Sequence, residues 1–75
     1  MMLEELFATI LHEPASALSD DASPATLRSW DSLRHIELVM AAETTYGVRF
    51  ETAEVTTIRT LGGMRALLRR KGVAA

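Results

Sequence analysis

The stretch DSLRHIELVMAAETTYG, residues 31–47, decides the reading of this chain. Asp31 or Ser32 can cap the free amides at its front, and Gly47 is placed to end it in a left-handed conformation, so the spacing predicts a helix from about Ser32 to Tyr46. At about 100° per residue, Leu38, Val39, Ala42 and Tyr46 share one broad stripe, the side that a core requires. Leu33, Ile36 and Met40 form a second apolar stripe nearly opposite, with Glu37 and Thr44 beside it. Folding explains only the first. A domain this small cannot cover the helix all round, so the second stripe is expected to be partly exposed and open to a partner or a bound chain. The alternative is that the preceding loop folds back and buries Leu33 and Ile36. Met40 has the flexible side chain that suits a surface serving several partners, although methionine at helical spacing is also ordinary core.

Upstream, Leu3, Leu6, Phe7, Ile10 and Leu11 recur at helical spacing and predict an amphipathic helix ending near His12 to Pro14. From Glu13 to Ser29, Pro14, Ser16, Ser19, Asp20, Asp21, Ser23 and Pro24 break any period, with Leu18 and Leu27 as expected anchors to the core. A connection this long inside a compact domain tends to be functional. Downstream, Val48 and Phe50 return to the core, and Glu51 to Val55 suffices for a short turn of helix. Thr60 is a good cap for a last helix from Leu61 to Lys71, stopped at Gly72, with Ile58, Leu61, Met64, Leu67 and Leu68 as its buried side. Gly62 and Gly63 fall in its first turn, where glycine costs less than in a helix interior. The expected fold is all-α: a bundle of three main helices plus one short one, with a long first loop.

Size and composition narrow the function. The 75 residues suit one domain, residues 1–75, without an enclosed substrate cleft. There is no cysteine, and His12 and His35 are too few and too scattered to form a ligand set, so neither disulfide nor metal is expected. The apolar fraction of 48%, with one Trp, one Tyr and two Phe, points to an aliphatic core of Leu, Ile, Val and Met. No apolar run approaches the roughly 18 residues of a membrane span, and two glutamates stand where a signal peptide would be positive. A cytoplasmic location follows as the expectation, and the limits at Met1 and Ala75 favour a free protein. Residues 1–54 hold ten acids against Arg28, Arg34 and Arg49, whereas residues 55–75 hold five bases and no acid. Arg69, Arg70 and Lys71 suit the negative end of the last helix. A nucleic-acid surface built on Arg59, Arg65, Arg69, Arg70 and Lys71 is disfavoured by the overall charge of −2.

Ser32, taken alone, is by default a helix cap. No histidine stands in an evident relation to it. His35 lies toward the core-facing side of the helix and reads as a packing residue, so catalysis by the chain itself is not expected.

The tripeptide Asp31-Ser32-Leu33, followed by Ile36-Glu37-Leu38-Val39-Met40-Ala41-Ala42-Glu43 and by Tyr46-Gly47-Val48, resembles the acyl carrier protein family. The likeness extends to the opening helix, the long loop, and the Thr57-Ile58-Arg59-Thr60-Leu61-Gly62 approach to the last helix. It implies that Ser32 carries 4′-phosphopantetheine, donated by coenzyme A, through a phosphodiester. The thiol of that arm would hold acyl or aminoacyl groups as thioesters. The positive end of a helix dipole and its free amides favour a phosphate at such a position. The implied partners are a phosphopantetheinyl transferase, an acyltransferase or adenylating ligase, and downstream synthase enzymes, served by a monomer that binds neither nucleic acid nor membrane. By the same resemblance Asp31, Leu33, Glu37 and Met40 match docking positions, and Ile36 completes the stripe. Glu37 would meet a basic partner surface, whereas Glu43 could equally be a solvated face.

The chain departs from the family pattern in places. Arg34 follows the tripeptide where many fatty-acid carriers have an acid, Thr44 and Thr45 replace a common acidic run, and Trp30 precedes Asp31 where glycine or leucine is frequent. These features look like stand-alone carriers of specialised pathways, and polyketide or nonribosomal peptide assembly is the expected setting, because a changed charge pattern also excludes wrong partners. The alternative function is an unmodified helical protein-interaction domain.

Overall fold

The computed structural model describes residues 2–75. Met1, where the expected domain begins, lies outside them. The elements are α1 (Leu3–Leu11), a 3-10 turn (Ala15–Ala17), α2 (Ser32–Tyr46), α3 (Thr52–Thr57) and α4 (Leu61–Arg70). This is the expected all-α bundle, with no strand among the described residues. No described helix is long and apolar enough to cross a membrane. The short helix extends two residues beyond the expected Val55, and α4 stops one residue before Lys71.

Each helix ends where its local chemistry dictates. His12 closes α1 with φ at 57°, and its N–H donates to Ala8 O; among residues other than glycine, histidine is one of those enriched in this left-handed region. Gly47 ends α2 at φ 65°, as its place in the sequence predicts. Thr60 Oγ1 accepts from Gly63 N at 2.9 Å and caps α4. The core is built from Leu3, Leu6, Phe7 and Leu11 of α1, Leu38, Val39 and Ala42 of α2, and Leu61, Met64, Leu67 and Leu68 of α4, closed by Ile58. The expected stripe on α2 is thus buried except for Tyr46, which is half-buried.

One expectation needs correction: the core is not purely aliphatic. Trp30 is its largest fully buried side chain, 2% exposed, and meets Phe7 edge to face with centroids 5.2 Å apart. A single Trp weighs little in a composition, yet it fills more core volume than any other side chain.

The long first connection is ordered by three kinds of contact. Leu18 and Ala22 are buried and Leu27 is half-buried, which anchors the chain as the sequence suggests. Its backbone serves α4: Ala22 O accepts from Leu61 N and Asp20 O from Gly62 N, both at 3.0 Å. These bonds satisfy two of the amides that a helix leaves unpaired at its start. Finally, Arg65 of α4 bonds Glu4 of α1 and also reaches Asp20 at 3.4 Å. The Arg65 hydrogen bond holds the Glu4 carboxyl below the usual carboxylate range, and Glu4 in turn raises Arg65.

Two predictions follow from these contacts. A Cβ at Gly62 would sit 3.0 Å from both the carbonyl oxygen and the Cβ of Asp20, and that carbonyl is pinned by the Gly62 amide. Helix propensity alone would make Gly62→Ala a gain of up to about 1 kcal/mol, whereas the close approach makes it a loss of about 1 kcal/mol or more. Urea denaturation reads the sign, and a stabilised variant would refute the close approach. For Glu4, a folded-state pKa below the unfolded one gives stability that is present above the ordinary carboxylate pKa and is lost as pH falls through the depressed value. Glu4→Gln should cost about 1 kcal/mol at neutral pH. The gap from wild type should close on acidification, as thermal melts across the acid range would show; a gap independent of pH would assign the loss to packing.

Candidate functional site

The start of α2 concentrates the exposed chemistry. Asp31, with φ −103° and ψ −174°, is the cap: its Oδ1 accepts from Arg34 N at 2.8 Å. Of the two caps that the sequence allowed, the structure uses Asp31. Ser32 becomes the first helical residue, exposed, and its hydroxyl makes no hydrogen bond among the described residues. The N–H groups of Ser32 and Leu33 likewise have no protein acceptor there, and they lie at the positive end of a 15-residue helix.

Leu33, Ile36 and Met40 continue from this point along one face, 67%, 51% and 60% exposed. The loop does not fold back over them. Glu37 stands on the same face, since positions three and four apart are helix neighbours, and it is exposed. Arg34 Nε lies 3.7 Å from Glu37 Oε1. The structure therefore brings Asp31, Ser32, Leu33, Ile36, Glu37 and Met40 together on one solvent-facing strip, opposite the buried Leu38, Val39 and Ala42.

Other polar residues of α2 serve the fold. Arg34 donates to Ile10 O at 2.8 Å, tying the first turn of α2 to the last turn of α1. Glu43 accepts from Phe50 N at 2.9 Å and so holds the chain beyond Gly47; its role is structural rather than that of a solvated face. Trp30 is buried and donates its indole N–H to His35 Nδ1 at 3.0 Å. The Trp30 and Arg34 departures from the family pattern thus lie in packing and in helix-to-helix attachment. Sequence reasoning missed the Trp30–His35 bond because Trp30 precedes the helix, so no helical period connects the two.

Both ring nitrogens of His35 are engaged, one by Trp30 and the other with Val55 O, so this imidazole is committed to the fold and not to the Ser32 hydroxyl. Among the described residues no group of three or more His, Asp or Glu is arranged to hold a metal. An open groove between α3 and α4, lined by Ala53, Glu54, Thr57, Leu67, Arg70 and Lys71, shares no residue with the strip. What the strip can do is expose a hydroxyl beside free amides at a helix N-terminus, next to an apolar surface edged by two carboxylates.

A family described as a phosphopantetheine attachment site matches residues 3–68 of the chain. The chain is also 38% identical, over 69 residues, to the polyketide-8 synthase acyl carrier protein 2 of Streptomyces avermitilis, a match that covers 92% of this chain and 79% of that protein.

Proposed function

Because the chain belongs to the acyl carrier protein family, whose members bear a covalent 4′-phosphopantetheine, we propose that Ser32 holds that arm. In this reading residues 1–75 act as one carrier domain that passes acyl or aminoacyl intermediates between enzymes of polyketide or nonribosomal peptide assembly. The observation that carries the reading is the division of duties at the start of α2: Asp31 caps the helix, which leaves the exposed Ser32 hydroxyl unengaged. The likeness to a polyketide synthase carrier favours the polyketide setting.

The residues present fit the group. A phosphodiester on Ser32 would lie beside the free amides of Ser32 and Leu33, where the helix dipole favours negative charge. When bound, the arm supplies a terminal thiol that carries cargo as a thioester. Asp31 holds the first turn in place, and Leu33, Ile36 and Met40 offer the apolar centre of a docking surface. Asp31 and Glu37 supply acid at its edge for a basic partner, while Arg34 lowers the net charge there. The chain contributes tethering, which raises local reactant concentration; its partners contribute catalysis. Those partners are a phosphopantetheinyl transferase, an acyltransferase or adenylating ligase, and a synthase. A coenzyme A donor makes the cytoplasm the natural setting. The three exposed apolar side chains would serve an unmodified interaction domain as well, and one mass measurement separates the two readings.

Incubation with coenzyme A and a broad-specificity phosphopantetheinyl transferase should add one phosphopantetheine to the wild-type chain and none to Ser32→Ala, read by intact mass. No gain on folded, unmodified wild type would leave the interaction-domain reading. Docking is tested separately: Leu33→Ala and Met40→Ala should each lower kcat/KM for that loading by about tenfold, the size of a modest interface anchor. Thr45→Ala, exposed on another side of α2, should load at the wild-type rate. Equal rates for all three variants would remove the strip from the docking surface.

A further inference from the structure

We infer that His35 is a proton-sensitive latch that joins the loop end next to Ser32 and the short helix α3 to α2. Its ring bridges two elements. Nδ1 lies 3.0 Å from Trp30 Nε1, and Nε2 lies 3.0 Å from the carbonyl oxygen of Val55. An indole N–H can only donate and a carbonyl can only accept. Nδ1 is therefore the bare nitrogen and Nε2 carries the proton, so the two partners together select one neutral tautomer. The bond from Trp30 lies close to both ring planes, which are 19° from parallel with centroids 6.0 Å apart. Phe7 closes the indole from α1. Trp30 is buried, so water is poorly placed to replace the acceptor.

A second proton on the imidazole turns Nδ1 into a donor that faces a donor. The Trp30 bond is lost, and a buried N–H is left unpaired, a state that folded proteins avoid. A ring that moves to escape this contact also leaves Val55, so the release passes from the loop to α3. Both ends of the latch matter to the strip: Trp30 is separated from Ser32 only by the capping Asp31, and α3 is held to α2 through the same ring.

The charged groups of the neighbouring elements have other partners or face solvent. On α2, Asp31 is held by Arg34 N, and Arg34 is shared between Ile10 O of α1 and Glu37. On α3, Glu54 accepts from Glu51 N and from Lys71, the residue that follows α4. On α1, Glu4 is taken up by Arg65, and on the loop Arg28 is exposed. No charged side chain among the described residues bonds the imidazole, so the proton on its own ring sets the state of the latch.

The chain has one tryptophan and two histidines, so each signal is assignable. The indole N–H resonance and the His35 ring nitrogen shifts are followed by NMR as the pH is lowered from about 8 until the ring gains its second proton. His12, exposed at the end of α1, is identified by His12→Asn. At the alkaline end His35 should show the Nε2–H tautomer. Across the ring's own titration the indole resonance should move with the same midpoint, and amide exchange in α3 should rise about tenfold relative to α4. His35→Gln offers an acceptor and a donor without titrating, so its indole resonance and its α3 exchange should stay constant with pH; if that variant fails to fold, the wild-type midpoints decide. A His35 that titrates while the indole resonance and α3 stay unchanged, or one protonated on Nδ1 at the alkaline end, overturns the latch.

Discussion

A connection running from His12 to Asp31 can lie across a small bundle only if its backbone polar groups are satisfied and its ends are pinned. Here both conditions are met by the same few contacts. Asp20 O and Ala22 O take the first amides of α4, and Trp30 drives the far end of the loop into the core between Phe7 and His35. The start of α2 inherits its position from that wedge. Asp31 follows Trp30 directly and caps the helix, so the exposure of Ser32 and the direction of the Leu33, Ile36 and Met40 strip trace back to one buried indole.

Much of this was legible in the sequence. The helical periods of α1, α2 and α4, the Gly47 stop and the Thr60 cap are local signals, set by residues within one or two turns of each other. The exposed strip was legible too, because α2 carries more apolar surface than a single core can cover. What escaped the reading depends on contacts between residues distant in sequence. Gly62 reads as a tolerated glycine until Asp20 is seen packed against it. Arg34 and Glu43 read as surface charge until their backbone partners, Ile10 O and Phe50 N, come into view. Likewise the weight of Trp30 in the core is invisible to composition, which counts residues and not the volume they fill.

The charge asymmetry of the chain takes on a structural meaning. Arg65 and Lys71, which belong to the basic end, each reach back to an acid of the front, Glu4 and Glu54. Those pairs join α4 to α1 and the residue after α4 to α3, leaving Arg69 and Arg70 exposed at the end of α4, where cations suit the helix dipole. The unequal halves of the sequence thus serve as adhesive between helices before they serve any partner.

Placing the cap one residue ahead of Ser32 has a further consequence. A side chain whose oxygen holds up a helix cannot be altered without loosening that helix, whereas the Ser32 oxygen holds up nothing. On the proposed function, derivatising it breaks no hydrogen bond of the scaffold and sets a phosphodiester where the helix dipole favours negative charge. Bare and loaded forms of such a carrier would then share one bundle, and a partner that tells them apart would read the attachment itself rather than a change in the fold.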